Sequence, residues 1–136
     1  MRGMQSIAAL VAVGMLNGAS GSAAKWRAIL EPVGGATVRG GATAEATGDS
    51  THFVITIRGG APNTSLAWHM HTGTCASPGQ LQGSGYPPLK VGPGGTAQAA
   101  VTLAVASPDG GSRIIQVHGA GGNVVSCGEL KPVGGT

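Results

Sequence analysis

Charged side chains and aromatic rings are both scarce in this 136-residue chain: Asp, Glu, Lys and Arg make up 10% of it, and Phe, Trp and Tyr 3%. Eight Lys and Arg against five Asp and Glu leave a formal charge of +3. The basic residues stand singly, and without a basic cluster or an aromatic platform a nucleic-acid partner is not expected. The few carboxylates lie in or beside turns and strands with no paired pattern, so no Ser/His/Asp set is credible. No Gly-x-x-x-x-Gly-Lys-Ser/Thr loop is present to cradle a phosphate. Hydrolytic and nucleotide-binding functions therefore fall away. With so few rings, the core must be built from Val, Ile, Leu and Ala, which suits a thin β-sandwich or barrel in a single domain. The 26 Gly and eight Pro approach the range of disordered chains, yet they gather between patterned segments and read as turns.

A long apolar run is also missing. Residues 7–16 are apolar but too short to anchor in a bilayer. Preceded by Arg2 and followed by Ser22-Ala23-Ala24, they read as a signal peptide over residues 1–24, leaving a β domain over 25–136 and no membrane contact after cleavage. A periplasmic or secreted location follows. The two cysteines, Cys75 and Cys127, suit a disulfide in such a compartment. Thiolate ligation of a metal, as in a two-His, one-Cys electron-transfer copper centre, is the other reading.

What the chain does have is alternation with period two. Trp26, Ala28 and Leu30 alternate with Arg27, Ile29 and Glu31; Val38, Gly40, Ala42, Ala44 and Ala46 with polar or small neighbours; and Phe53, Ile55 and Ile57 with His52, Val54, Thr56 and Arg58. A fourth strand points Leu66, Trp68 and Met70 inward. Residues 72–95 lack such a pattern and read as a long loop with a short strand near Leu89 to Val91. Alternation resumes at Ala97, Ala99, Val101, Leu103 and Val105. Ile115 and Val117 then face in, with Ile114, Gln116 and His118 outward. A last strand follows from Val124, and the tail from Pro132 is expected to fray. Strands joined by turns, with no helical stretch after the signal, predict an all-β Greek-key sandwich or barrel of about eight antiparallel strands.

The chemistry concentrates in Trp68-His69-Met70-His71-Thr72-Gly73-Thr74-Cys75. On a strand, His69 and His71 point to the same face, an arrangement that chelates a transition metal, while Trp68 and Met70 point into the core. A smaller echo, Val117-His118 and then Cys127, lies downstream. His52 begins a different strand and reads as a solvated edge residue.

These residues carry a resemblance. Gly34-Gly35-Ala36-Thr37-Val38-Arg39-Gly40 resembles the first hairpin of the copper/zinc superoxide dismutase family. Trp68-His69-Met70-His71 resembles its Gly-Phe-His-x-His motif, and Gly111-Ser112-Arg113-Ile114-Ile115-Gln116-Val117-His118 its Gly-Arg-x-x-x-Val-His strand. Ser126-Cys127-Gly128 resembles its Ala-Cys-Gly. The resemblance implies a superoxide dismutase-like fold, a copper site on His69, His71 and His118 with ring nitrogens within about 3–4.5 Å of each other, and a disulfide between Cys75 and Cys127.

The departures are as informative. Between Cys75 and Gly95 there is no His, Asp or Glu, so the family's zinc ligands and bridging His have no counterpart and no zinc is expected. No Arg lies between His118 and Cys127, where the family places one over the copper. No carboxylate is evident to orient the imidazoles. The expectation is an exported protein binding one copper ion, with superoxide as a substrate turned over weakly. A genuine copper-only superoxide dismutase and a metal-free secreted β module of chordin-repeat type are the alternatives. No catalytic residue beyond the ligands is assigned, and a homodimer is left open.

Overall fold

The computed structural model describes residues 24–134. Apart from Ala24, the signal-peptide segment lies outside these residues. The strands are β1 (Lys25–Pro32), β2 (Arg39–Thr47), β3 (Ser50–Arg58), β4 (Ser65–Gly73), β5 (Pro78–Leu81), β6 (Leu89–Lys90), β7 (Ala97–Leu103), β8 (Arg113–His118), β9 (Val124–Glu129) and β10 (Lys131–Pro132). Among the described residues there is no α-helix, only single 3-10 turns at Pro108–Gly110 and Ala120–Gly122, and no helix is long and apolar enough to cross a membrane.

Eight antiparallel strands form one curled sheet in the order β5-β4-β8-β9-β1-β2-β3-β7, with β6 beside β4 and β10 beside β1. β1 joins the two halves. Its residues 25–30 pair with β2, while Glu31 and Pro32 pair with Cys127 and Ser126 of β9. Because β3 pairs with β7 while β4 pairs with β6 and β8, the chain crosses between halves after β3, returns after β6 and crosses again after β7, as in the Greek-key connection that the strand pattern predicts.

The core lies inside the curl. Trp26, Ala28 and Leu30 enter it from β1, Phe53, Ile55 and Ile57 from β3, Leu66, Trp68 and Met70 from β4, and Ile115 and Val117 from β8. Each fully buried Leu or Ile contributes roughly 1.5–3 kcal/mol, so these aliphatic rows supply the burial that a ring-poor chain cannot take from aromatics. Ala42 and Ala44 on β2 keep the two layers close.

Three details differ from the sequence reading. The long loop contains β5, which folds back antiparallel on the end of β4. Pro132 is held rather than frayed, since β10 pairs with Trp26 and Arg27 of β1. Ile114 and Gln116 do alternate away from the core, but both are buried, at 0% and 4% exposure. The reason is long-range. Cys75 and Cys127 form a disulfide with Cα atoms 6.0 Å apart, within the normal span for such a bond. It draws the segment after β4 over the outer row of β8 and β9, where the backbone N–H of Cys75 also donates to the Glu129 carboxylate at 3.4 Å.

Candidate metal centre

β4 and β8 lie side by side with Ala67 opposite His118, His69 opposite Gln116 and His71 opposite Ile114. Directly paired residues of an antiparallel ladder share a face, so all three histidines project from the outer surface of the same strand pair. Their rings lean together, with centroids 5.2 Å apart for His69 and His118, 5.9 Å for His69 and His71, and 6.0 Å for His71 and His118. One ligand nitrogen from each falls within 4.8 Å of the others, and all three residues are partly buried. Three nitrogens bound to one ion at about 2 Å lie at most about 4 Å apart, so small side-chain rotations bring the set, slightly wider than the expected spacing, onto one centre. His52 is not in this group. It is exposed on β3, with Nδ1 at 2.7 Å from Thr102 Oγ1.

Local features set the ring orientations. His71 Nδ1 donates to the Gly79 carbonyl at 3.3 Å, and His118 Nδ1 donates to the Gly122 carbonyl at 3.1 Å. A carbonyl can only accept, so both rings carry their proton on Nδ1 and leave Nε2 with a free lone pair. Both Nε2 atoms are buried without a hydrogen-bond partner. Buried polar nitrogens left unpaired in this way are unfavourable unless a ligand satisfies them, and the pattern is that of imidazoles held through one nitrogen and offered through the other. The orienting groups that the sequence did not disclose are thus backbone carbonyls in place of carboxylates.

Two turns deliver those carbonyls. Gly73 has φ +95°, and a Cβ there would lie 2.5 Å from the Ser77 carbonyl oxygen. Only glycine permits this close turn, which returns β5 onto β4 and places Gly79 beside His71; Gln80 N–H then bonds Thr72 Oγ1 at 2.9 Å. At the other side the β8–β9 register slips at His118, which pairs with Val124 while Val117 pairs with Ser126. The 3-10 turn that follows bends back so that the Gly122 carbonyl meets its own strand's last residue.

His69 has a different neighbourhood. Its ring meets Tyr86 in a T-shaped contact at 5.5 Å. Its pKa is lowered from the ordinary histidine value, first by burial and then by the neighbouring His118 and His71, so the neutral, ligating form is favoured. Tyr86 escaped the sequence reading. The available signal was that the chain's one Tyr stands in a Gly/Pro-rich loop with no strand of its own. Burial raises its phenol pKa, which keeps the hydroxyl a donor, and it bonds the Gln82 carbonyl.

The surroundings carry almost no charge. Residues 59–89 and 114–128, which include all of β4, β5 and the long loop to Leu89, contain no Asp, Glu, Lys or Arg. Arg113 and Glu129, paired with Thr72 and Ile114, stand at the border of these segments. Three imidazoles in such charge-poor surroundings, with two lone pairs buried and unmatched, fit a transition-metal ion that accepts nitrogen donors. Cys75 and Cys127 are joined to each other, so the thiolate-ligand alternative is closed in this state. No protein-family model matches the chain, and no curated protein is significantly similar to it in sequence.

Proposed function

We propose that this is an exported copper-binding protein of superoxide dismutase-like fold, holding one copper ion on His69, His71 and His118. The observation that carries the proposal is the pair of buried, unpartnered Nε2 atoms on His71 and His118, aimed into the same cluster as His69. Copper is favoured over zinc because a nitrogen site of this kind binds Cu(II) more tightly than Zn(II), and imidazole suits copper in either oxidation state. Zinc with three His would make an open hydrolytic site, and no carboxylate stands within residues 59–89 or 114–128 to serve as a base. Copper supplies a one-electron couple when bound. The chain's own residues favour the neutral form of His69, orient His71 and His118 through backbone carbonyls, and place no Lys or Arg within residues 59–89 or 114–128 to gather an anion. Superoxide turnover is therefore a minor activity, and copper holding or transfer the main one.

The test is to purify the protein from the exported fraction and determine copper by elemental analysis. One equivalent is expected, on a chain that intact-mass analysis shows to begin near Lys25. A protein that is folded and disulfide-bonded but takes up no copper, with no change in stability on copper addition, would sink the proposal and favour a metal-free β module.

A further inference from the structure

Of the three histidines, two are held by backbone carbonyls and one is not. His71 and His118 are fixed through Nδ1 by Gly79 and Gly122. The His69 ring has no hydrogen bond among the described residues; its close neighbours are the other two imidazoles and Tyr86. A ring with a free χ2 would present its nitrogen in many directions, so something else must orient it if three ligands are to meet one ion.

Tyr86 is built to do this. β5 pairs with His71 and Gly73, and β6 pairs with Ser65 and Leu66, so the edge of β4 between them has no partner strand. Tyr86 fills that gap and reaches both faces of β4. On the core side it packs against Trp68 at 5.0 Å and Phe53 at 5.7 Å, and Trp68 and Phe53 pack on each other at 5.9 Å. On the outer side it meets His69 with ring planes at 87°. Its hydroxyl is tied to the Gln82 carbonyl, and the next residue, Pro87, accepts the Trp68 indole N–H. Three of the chain's four aromatic residues thus brace one another at a single point beside the site. A T-shaped contact between two rings is attractive beyond the area it buries, which biases the imidazole toward one orientation.

We propose that Tyr86 is the positioning residue for His69: through a ring contact it does for this imidazole what the two carbonyls do for His71 and His118. The inference rests on the three-histidine site proposed above. It assigns to Tyr86 no contact with the metal and no part in electron transfer. Its ring matters more than its hydroxyl, since the ring alone touches His69.

The experiment compares Tyr86→Leu and Tyr86→Phe with the wild type in the exported, disulfide-bonded chain. The first measurement is made without metal, by NMR relaxation of the three imidazole rings. Tyr86→Leu is expected to loosen His69 while His71 and His118 keep their order, and Tyr86→Phe to leave all three ordered. The second is Cu(II) affinity by chelator competition with the EPR spectrum of the loaded protein. Tyr86→Leu should lower affinity about ten- to a hundred-fold, the usual range for loss of an orienting partner, and give a heterogeneous spectrum; Tyr86→Phe should match the wild type. The proposal is overturned if His69 stays ordered in Tyr86→Leu. It is equally overturned if all three rings loosen together, which would make Tyr86 a general support of the loop, or if Tyr86→Phe loosens His69 as much as Tyr86→Leu. Absence of copper binding in the wild type would defeat the functional reading, while the metal-free ring measurements would still decide the role of Tyr86.

Discussion

Trp68 donates its indole N–H to the carbonyl of Pro87, so the residue before His69 holds the residue after Tyr86. This bond joins a core side chain of β4 to the long loop that has no strand ladder of its own at that point. Replacing Trp68 by Phe keeps a ring in the core but leaves the part-buried Pro87 carbonyl unpaired. The expected loss is about 1–3 kcal/mol, the penalty for stranding such a group, read as a lower denaturant midpoint with the slope unchanged.

The ligand set predicts a sharp contrast among four histidines. His69→Ala, His71→Ala or His118→Ala should each abolish one-equivalent Cu(II) binding in equilibrium dialysis. His52→Ala should leave it intact, because His52 sits on the other half of the sheet with Thr102 as its partner. Loss of binding in His52→Ala, with retention in His118→Ala, would mean that the site has been assigned to the wrong residues.

The disulfide spans a sequence separation of 52. Closing a loop of that size stabilises the fold by about 4 kcal/mol in the chain-entropy account. A Cys75→Ser/Cys127→Ser variant should lose stability of that order in a denaturant titration. It should also bind copper more weakly, since the tethered segment leads into β5, whose Gly79 carbonyl orients His71.

The lowered pKa of His69 has a definite sign for stability. Burial, then His118 and His71, disfavour its charged form in the folded state. Between the unfolded value of about 6.5 and the lower folded one, the unfolded chain holds more protons, so metal-free stability falls as pH drops through that window and is unaffected well above it. Thermal melts from neutral to acidic pH should show this slope in the wild type and a flatter one in His69→Asn. Copper binding should weaken over the same acid range, because protons compete for the ligand nitrogens.

The scarcity of charge around the site bears on turnover. With no Lys or Arg in residues 59–89 or 114–128, the segments around the site contribute little positive charge to draw in an anion, and a lost field can lower association about ten-fold or more. Pulse radiolysis or a stopped-flow superoxide assay on copper-loaded protein should give a rate constant well below the diffusional ceiling of about 10⁹ M⁻¹s⁻¹. A rate at that ceiling would show that a copper-only dismutase is the better description.

Much of the fold was legible because strand patterning is local. Trp26, Ala28 and Leu30, or Phe53, Ile55 and Ile57, declare an inward face through a two-residue period that each segment carries by itself. The shared direction of His69 and His71 follows from the same geometry. The joining of His118 to that pair lay beyond any local rule and entered through a resemblance of motifs, whereas the Cys75–Cys127 disulfide was already suggested by two cysteines in a chain read as exported.

What the sequence by itself determined, then, was which side chains share a face of a strand; what only the tertiary structure decided was what covers each face. Ile114 and Gln116 point away from the core as their alternation requires, yet they are buried, because Cys127, which pairs with Gln116, is bonded to a cysteine 52 residues earlier and draws that segment over them. The orienting partners of His71 and His118 are carbonyls, which every residue possesses and which therefore leave no mark in composition or spacing. Tyr86 joins His69 across a gap in the sheet edge that exists only once β5 and β6 have paired with β4. Backbone geometry acts over a few residues and can be read from them; coverage, capping and ring contacts arise from chain path, which is settled by the packing of the whole.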